Sequence, residues 1–427
     1  MPFYARIKSL TSGIAGSFWF LPLIMAASGL VLAELAILLE SVEQLAPLRR
    51  QSFYPQFGPE GARSVLTTIA GGMMTMASLV FSLTFVGLTL LSGQLGPRIL
   101  MMFMHDKPTR VVMGAFVGVF LFTLIVLVNV TELEDGFVPH LAVATAILSA
   151  TIAFGLVIYF VHHMALSIQA DVIVAGLGRR FEKAIGRVTE AGKGFDIARA
   201  NRELARFQAV SGAPVPAPGS GYVRHVAYDQ LLQIASRAGL RIDVLVRPDD
   251  FIGEGLPLAL VEGPNPDISR LASAFTIGPR RDVLQEATYE ARALIDIALR
   301  GLSPGINDPA TAVAAIDHLS AGLLPLVRAE GVPRILFDES GRPCLRRPDL
   351  GLGHYLDLIV PALLPAMRSD TLATERLIAL LALLDRVSRS NDQQAEIEKW
   401  RKVVAQDVDN HQLPQALKDW LARAVTR

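Results

Sequence analysis

Four stretches of the chain, 18–39, 66–91, 111–130 and 137–161, are almost wholly apolar. Each is long enough to cross a bilayer core, which takes ~20 residues of helix. The pattern therefore predicts four transmembrane helices. The second is not uniform. From Thr67 to Ser92 it carries no charge, yet Thr68, Gly71, Thr75, Ser78, Ser82, Thr89 and Ser92 follow one another in steps of three and four, with Phe85 filling the one gap. Such steps return to one face of a helix. Two readings of this stripe stand side by side. Small and hydroxyl-bearing residues let helices approach closely and bond across the gap. Alternatively the same positions, Phe85 included, line water, as pore helices do when copies gather around an axis.

The other spans are plainer. Gly114 and Gly118 have the G-x-x-x-G spacing of helix packing. Glu34 is the one plainly ionisable side chain inside a span. At about 7–8 Å from the end of that span, it is expected at the interface, with a buried proton or cation site as the alternative. The first span exceeds the ~7–15-residue apolar core of a secretory signal, and is expected to be retained as an anchor.

Beyond residue 165 the apolar runs shorten and charges appear. Leu177, Phe181, Ile185 and Val188 share a helical face, and SGAPVPAPGS (211–220) reads as a flexible linker, so 166–212 is predicted to be a connecting helix and linker. Strand-like runs follow in GYVRHVAY, LRIDVLVRP and LPLALVEG, with a helical insert DQLLQIASRAG. Through DDFIGEGLPL this 213–264 block resembles a small barrel-sandwich module of the biotinyl/lipoyl type. Such modules carry their cofactor on a lysine, and none lies between Lys193 and Lys399, so no cofactor is expected. The remainder, 265–427, predicts helices at 266–276, 282–301, 309–328, 353–367, 371–389, 393–408 and 412–425, interrupted by a hairpin signal at RILFDESGRPCL. The expected fold class is thus a membrane α-helical domain of four transmembrane helices (1–165) plus a cytoplasmic α+β domain, with a small β-module and a helical C-terminal part.

Hydrophobic residues make up 51% of the chain and charged ones 19%, with a net charge of zero, which points to the lipid bilayer as partner and away from nucleic acid. The single cysteine, Cys344, excludes an internal disulfide framework and a cysteine zinc cluster. Lys and Arg in the short loops set orientation. Arg6, Lys8, Arg98, Lys107, Arg110, Arg179, Arg180 and Lys183 fall on one side of the spans, against Arg49, Arg50 and Arg63 on the other. The richer side is expected in the cytoplasm of a bacterial inner membrane, together with both termini. The opposite loop holds Glu132, Glu134 and Asp135, either a solvated turn or a mouth that concentrates cations. The segment 94–106 is apolar enough to lie along the inner membrane surface.

In the second half, RGLSPGINDPATA has the strongest local logic. Gly301 ends one helix, Asp308 stands at the N-cap of the next, and Pro309 at its first position. A binding loop is the competing reading: Ser303, Asn307 and Asp308 would supply oxygens beside Asp282, Glu286 and Glu290, which recur every four residues on the preceding helix. Oxygen-rich sets of that kind suit Mg²⁺ or Ca²⁺. Arg280, Arg281, Arg292 and Arg300 would instead hold an anion or pair with those acids. His162 and His163, being adjacent, point to different helix faces and make a poor metal pair; His225, His318 and His354 are scattered. No Ser-His-Asp order, H-E-x-x-H, cysteine nucleophile or glycine-rich phosphate loop occurs, so no enzyme is expected.

Taken together, LTTIAGGMMTMASLVFSLTFVGLTLLSGQLGPRIL and ARALIDIALRGLSPGINDPATAV resemble the two hallmark regions of a bacterial family of predicted membrane proteins, domain of unknown function 2254. Gly96, Pro97 and Arg98 after the second span, and the Ser303–Pro309 loop, occur in the expected order. The resemblance implies a four-span N-terminal region followed by a cytoplasmic domain, and assigns no activity. From the residues, the expectation is a homo-oligomeric channel or pore with 67–92 lining the conduit and a cytoplasmic domain that assembles and gates it. The other candidate is a membrane-anchored sensor or scaffold binding a metal or small ligand at 303–309.

Overall fold

Each apolar run becomes a helix, and caps decide where two of these begin. The structure, a computed structural model, describes residues 19–40, 57–95, 106–131, 137–190, 196–207, 210–279, 287–329, 331–368 and 370–410. Contact density divides the chain into two units, Met1–Val172 and Ile173–Arg427. The first contains α1 (Phe20–Glu40), α2 (Pro59–Leu95), α3 (Lys107–Val128) and α4 (His140–Ser167). Helix α3 starts where Asp106 accepts a hydrogen bond from the Thr109 backbone N–H at 3.1 Å, with proline in its first turn. Helix α4 has no side-chain cap of its own. Its Leu141 N–H donates instead to Glu40 Oε2 at 2.8 Å, so the buried carboxylate that closes α1 also caps α4.

Small residues bring α1 onto α3. Ala26, Gly29, Ala33 and Ala36 form its buried stripe. A Cβ added at Gly29 would lie 2.3 Å from the carbonyl oxygen of Gly118, so only glycine permits that backbone approach. Gly114 and Gly118 are therefore packing residues, as their spacing predicts. Leu66, Phe122, Val126, Ala142, Val143 and Ala146 fill the core of this unit.

Helix α5 (Ala170–Glu190) runs across the division at Val172, followed by α6 (Ile197–Arg206). The second unit then interleaves strands and helices: β1 (Ala213–Pro216), β2 (Gly221–Val226), α7 (Tyr228–Ala238), β3 (Arg241–Val244), β4 (Phe251–Ile252), β5 (Pro257–Glu262), α8 (Ile268–Ala272) and β6 (Phe275–Gly278). After them come α9 (Ala287–Gly301), α10 (Pro309–Arg328), β7 (Ile335–Phe337), β8 (Pro343–Arg346), α11 (Leu352–Met367), α12 (Thr371–Val387) and α13 (Asn391–Asn410). The strands form one sheet in the order β1-β5-β3-β8-β7 and another in the order β4-β2-β6. Val215, Val223, Leu231, Ile242, Leu258 and Leu345 belong to the core they enclose.

Three expectations change here. The supposed linker at 211–220 contains β1, an edge strand that pairs antiparallel with β5 from Ala213 to Pro216. Prolines are tolerated there because an edge strand leaves one row of N–H groups unpaired. The β region is not a self-contained 213–264 module, because β3 pairs in parallel with β8, Ile242 against Leu345. The helix expected at 266–276 is only the short α8, and its C-terminal part is β6. Helix α10 matches its expected range and is, with α1 to α4, one of five helices among the described residues that are long and apolar enough to cross a membrane. The helix expected at 412–425 and the start of the one at 282–301 lie outside the described residues.

Candidate functional site

Helix α2 has two unlike faces. Ala62, Leu66, Ala70, Met73, Val80, Thr84 and Leu91 are buried, and they are the face by which it packs into its unit. The polar stripe lies on the other side, about 150° around the helix at 3.6 residues per turn. Thr68, Gly71, Thr75, Ser78, Ser82, Phe85 and Thr89 are exposed and Ser92 half-buried. Nothing lies within 4 Å of where a Cβ would stand at Gly71. Among the described residues, then, no helix covers Thr68, Gly71, Thr75, Ser78, Ser82 or Thr89, and packing of this face would need a further partner such as a second copy. Met74, Leu79, Phe81, Val86 and Leu90, all exposed, flank it.

Four hydroxyls on this face are turned inward. Thr68 donates to the Ser64 carbonyl at 2.8 Å, Thr75 to Gly71 at 3.0 Å, Ser78 to Met74 at 3.0 Å and Thr89 to Phe85 at 2.9 Å. Each bond satisfies the donor within the helix and leaves oxygen lone pairs facing outward. The face therefore offers acceptors more than donors. Glu34 is also exposed, as an interfacial residue would be, whereas Glu40, a few residues on, is the buried acid with the structural contact described above. Sequence spacing held no sign of that role, because the partner is 101 positions away.

A second polar group lies where α3 begins and α4 ends. His163 Nε2 is 2.9 Å from Asp106 Oδ2 and 3.3 Å from Ser167 Oγ. The ring stacks on Tyr159 with centroids 5.8 Å apart. Both contacts use one ring nitrogen, so His163 ties the two helices together and does not relay a proton from serine to aspartate, which needs both nitrogens. The acidic loop residues Glu132, Glu134 and Asp135 lie outside the described residues.

In the second unit the 303–309 loop is committed to its own structure. Ser303 Oγ donates to the Arg300 carbonyl at 2.6 Å, and the backbone of Asn307, in a left-handed conformation at φ 50°, donates to the Ser303 carbonyl at 2.8 Å. Asp308 accepts from the Thr311 N–H at 3.1 Å and from its hydroxyl at 2.5 Å. The cap reading holds. Glu290 does not join this loop: it lies near the other end of α9, about 16 Å along the axis at 1.5 Å per residue. There it is buried and paired with Arg180 of α5, at 3.1 and 3.2 Å. Burial raises its carboxyl above the ordinary range, against the lowering charges of Arg180 and Arg187. Glu286 and Asp282 lie outside the described residues, and among the described ones no group of three His, Cys, Asp or Glu could hold a metal. Arg292 is paired with Asp249 at 2.9 Å. His354 is pushed below the usual histidine range by burial first and by Arg247 next.

The family model described as predicted membrane protein (DUF2254) matches residues 15–383. An uncharacterised protein of Mycobacterium bovis and one of Mycobacterium tuberculosis are each 30% identical over 326 residues, covering 74% of this chain. The matched region spans only 61% of the length of those curated relatives. No solved structure matches the chain.

Proposed function

Because the chain belongs to the DUF2254 family of predicted membrane proteins, we propose that it forms a homo-oligomeric pore in the inner membrane of bacteria, lined by α2. One observation carries this reading: the polar stripe of α2 points away from its own unit along the helix's length. Copies arranged about an axis would bring these stripes together around water, with Leu79, Phe81, Val86 and Leu90 at the flanks meeting neighbours or lipid. Outward lone pairs on Thr68, Thr75, Ser78 and Thr89 favour cations over anions as the permeant species.

Four spans are proposed, and burial supports that number. The apolar stretch of α10 is 56% buried, against 22–39% for those of α1 to α4. Helix α10 has the burial of a core helix, packed against α9 and α12 in the second unit. The Lys and Arg distribution supports placing the second unit in the cytoplasm, where it would assemble and gate the pore. We read the protein as non-enzymatic, and because Asp308 accepts the cap bonds of α10 and Glu290 pairs with Arg180, we favour the pore over the ligand-sensor alternative.

The test is reconstitution of the purified full chain, with its mass in detergent measured first. A ring of copies and single-channel conductance are expected. Replacing Ser78 and Ser82 together by Leu should keep the ring and abolish conductance, because an apolar constriction dewets. A monomer, or a ring whose conductance is unchanged by the double substitution, would overturn the proposal.

A further inference from the structure

Helices α1, α3 and α4 do not close on one another along their whole length. They leave a trough of about 580 Å³ between them. It extends from Met25 to Leu39 on α1 and from Leu141 to Leu156 on α4. At 1.5 Å per residue that is about 21 Å, more than the depth of one leaflet of a hydrocarbon core ~30 Å thick. No residue of α2 lines it, so it is separate from the polar stripe and independent of the pore reading.

Ser28, Thr145 and Ser149 bring the only hydroxyls to an otherwise apolar wall. Ser28 donates to the Met25 carbonyl at 2.7 Å and Thr145 to the Leu141 carbonyl at 2.8 Å, so both donors are satisfied inside their own helices. A water needs two to four polar partners, and with three hydroxyls among its lining residues most of this wall offers none. Left empty, the lining would forfeit its dispersion contacts. What fits is long, thin and apolar.

We propose that the trough binds one hydrocarbon chain of a bilayer phospholipid, held between α1, α3 and α4. Gly118 and Phe122 of α3 line it alongside Ala153 of α4. The lipid would thereby become part of the packing of this unit and a wedge that fixes how far α4 stands from α1.

Native mass spectrometry of the full chain, extracted from a phospholipid membrane in mild detergent, tests this. The expected result is one phospholipid retained per chain after loosely held lipid has been stripped. Ser149→Phe places a ring in the trough and should lose that lipid while far-UV helicity and the mass of the assembly stay unchanged. Ile158→Phe, on the exposed face of α4 outside the trough, should keep it. If Ser149→Phe fails to fold, the smaller Ser149→Leu decides by the same readout. A wild-type chain with no retained lipid overturns the proposal, as does equal retention in the Ser149 variants. A blocked variant that changes the assembly mass but not the lipid count also overturns it, since the trough would then be a contact between proteins.

Discussion

The single cysteine makes the β region of the second unit directly measurable. Cys344 in β8 is buried in the same core as Leu258 and Leu345, its thiol 3.7 Å from the Leu336 carbonyl oxygen. Burial, reinforced by the charge of Asp338, pushes its thiol from 9.0 up to about 11. Near neutral pH that leaves about a hundredfold less thiolate than at an ordinary cysteine, and access requires the core to open. Labelling by a thiol reagent then reports the free energy of that opening. Leu258→Ala, at a fully buried position, should cost about 3 kcal/mol, the transfer of the lost methyls plus the cavity left behind. That corresponds to labelling about 150-fold faster. The assay is a time course with a coloured disulfide reagent on the full chain in detergent, with Leu372→Ala on an exposed site as control. If Leu258→Ala sped labelling no more than Leu372→Ala did, Cys344 would not share a cooperative core with Leu258, and the β3–β5–β8 packing described here would be wrong.

What could be read from the sequence follows the range of the forces involved. Helices α1 to α4 depend on the length of an apolar run, which is local information, and α10 depends on caps at Asp308 and Pro309, which are adjacent in sequence. Sheet membership is not local. The parallel pairing of Ile242 with Leu345 joins residues 103 positions apart, and no alternation pattern announces it. The APVP strand was hidden because two prolines imitate a linker, although an edge position accommodates them. The α2 stripe was legible as a face but not as an outward one, since packing against a neighbour and lining water demand the same small hydroxyl residues. For Asp282, Glu286 and Glu290, spacing suggested a shared site with the loop. The partner of Glu290 instead comes from α5, and Asp308 accepts the cap bonds of α10.

Two further predictions test contacts that the sequence did not reveal. Removing the carboxylate with Glu40→Ala should destabilise the first unit by about 1–2 kcal/mol, the usual worth of a helix cap near the macrodipole, with Glu40→Gln intermediate; an unchanged midpoint in an SDS titration followed by circular dichroism would refute the shared cap. The Arg180–Glu290 pair gives the last prediction. Burial dominates Glu290, so its folded pKa lies above its unfolded value near 4.5. The folded state thus binds more protons in that window, and this group's contribution to stability is full below about 4.5 and falls as pH rises through the folded value. Glu290→Gln, which cannot ionise, should flatten that segment of the stability–pH curve and cost little at neutral pH. Arg180→Ala should do the opposite at neutral pH, losing about 3 kcal/mol because it strands a buried carboxylate, and should recover as acid protonates Glu290. Denaturant titrations followed by Cys344 labelling from pH 5 to 7 would decide. Losses equal for the two variants and independent of pH would mean that Glu290 is paired but not desolvated, and the physical account of this site would fail.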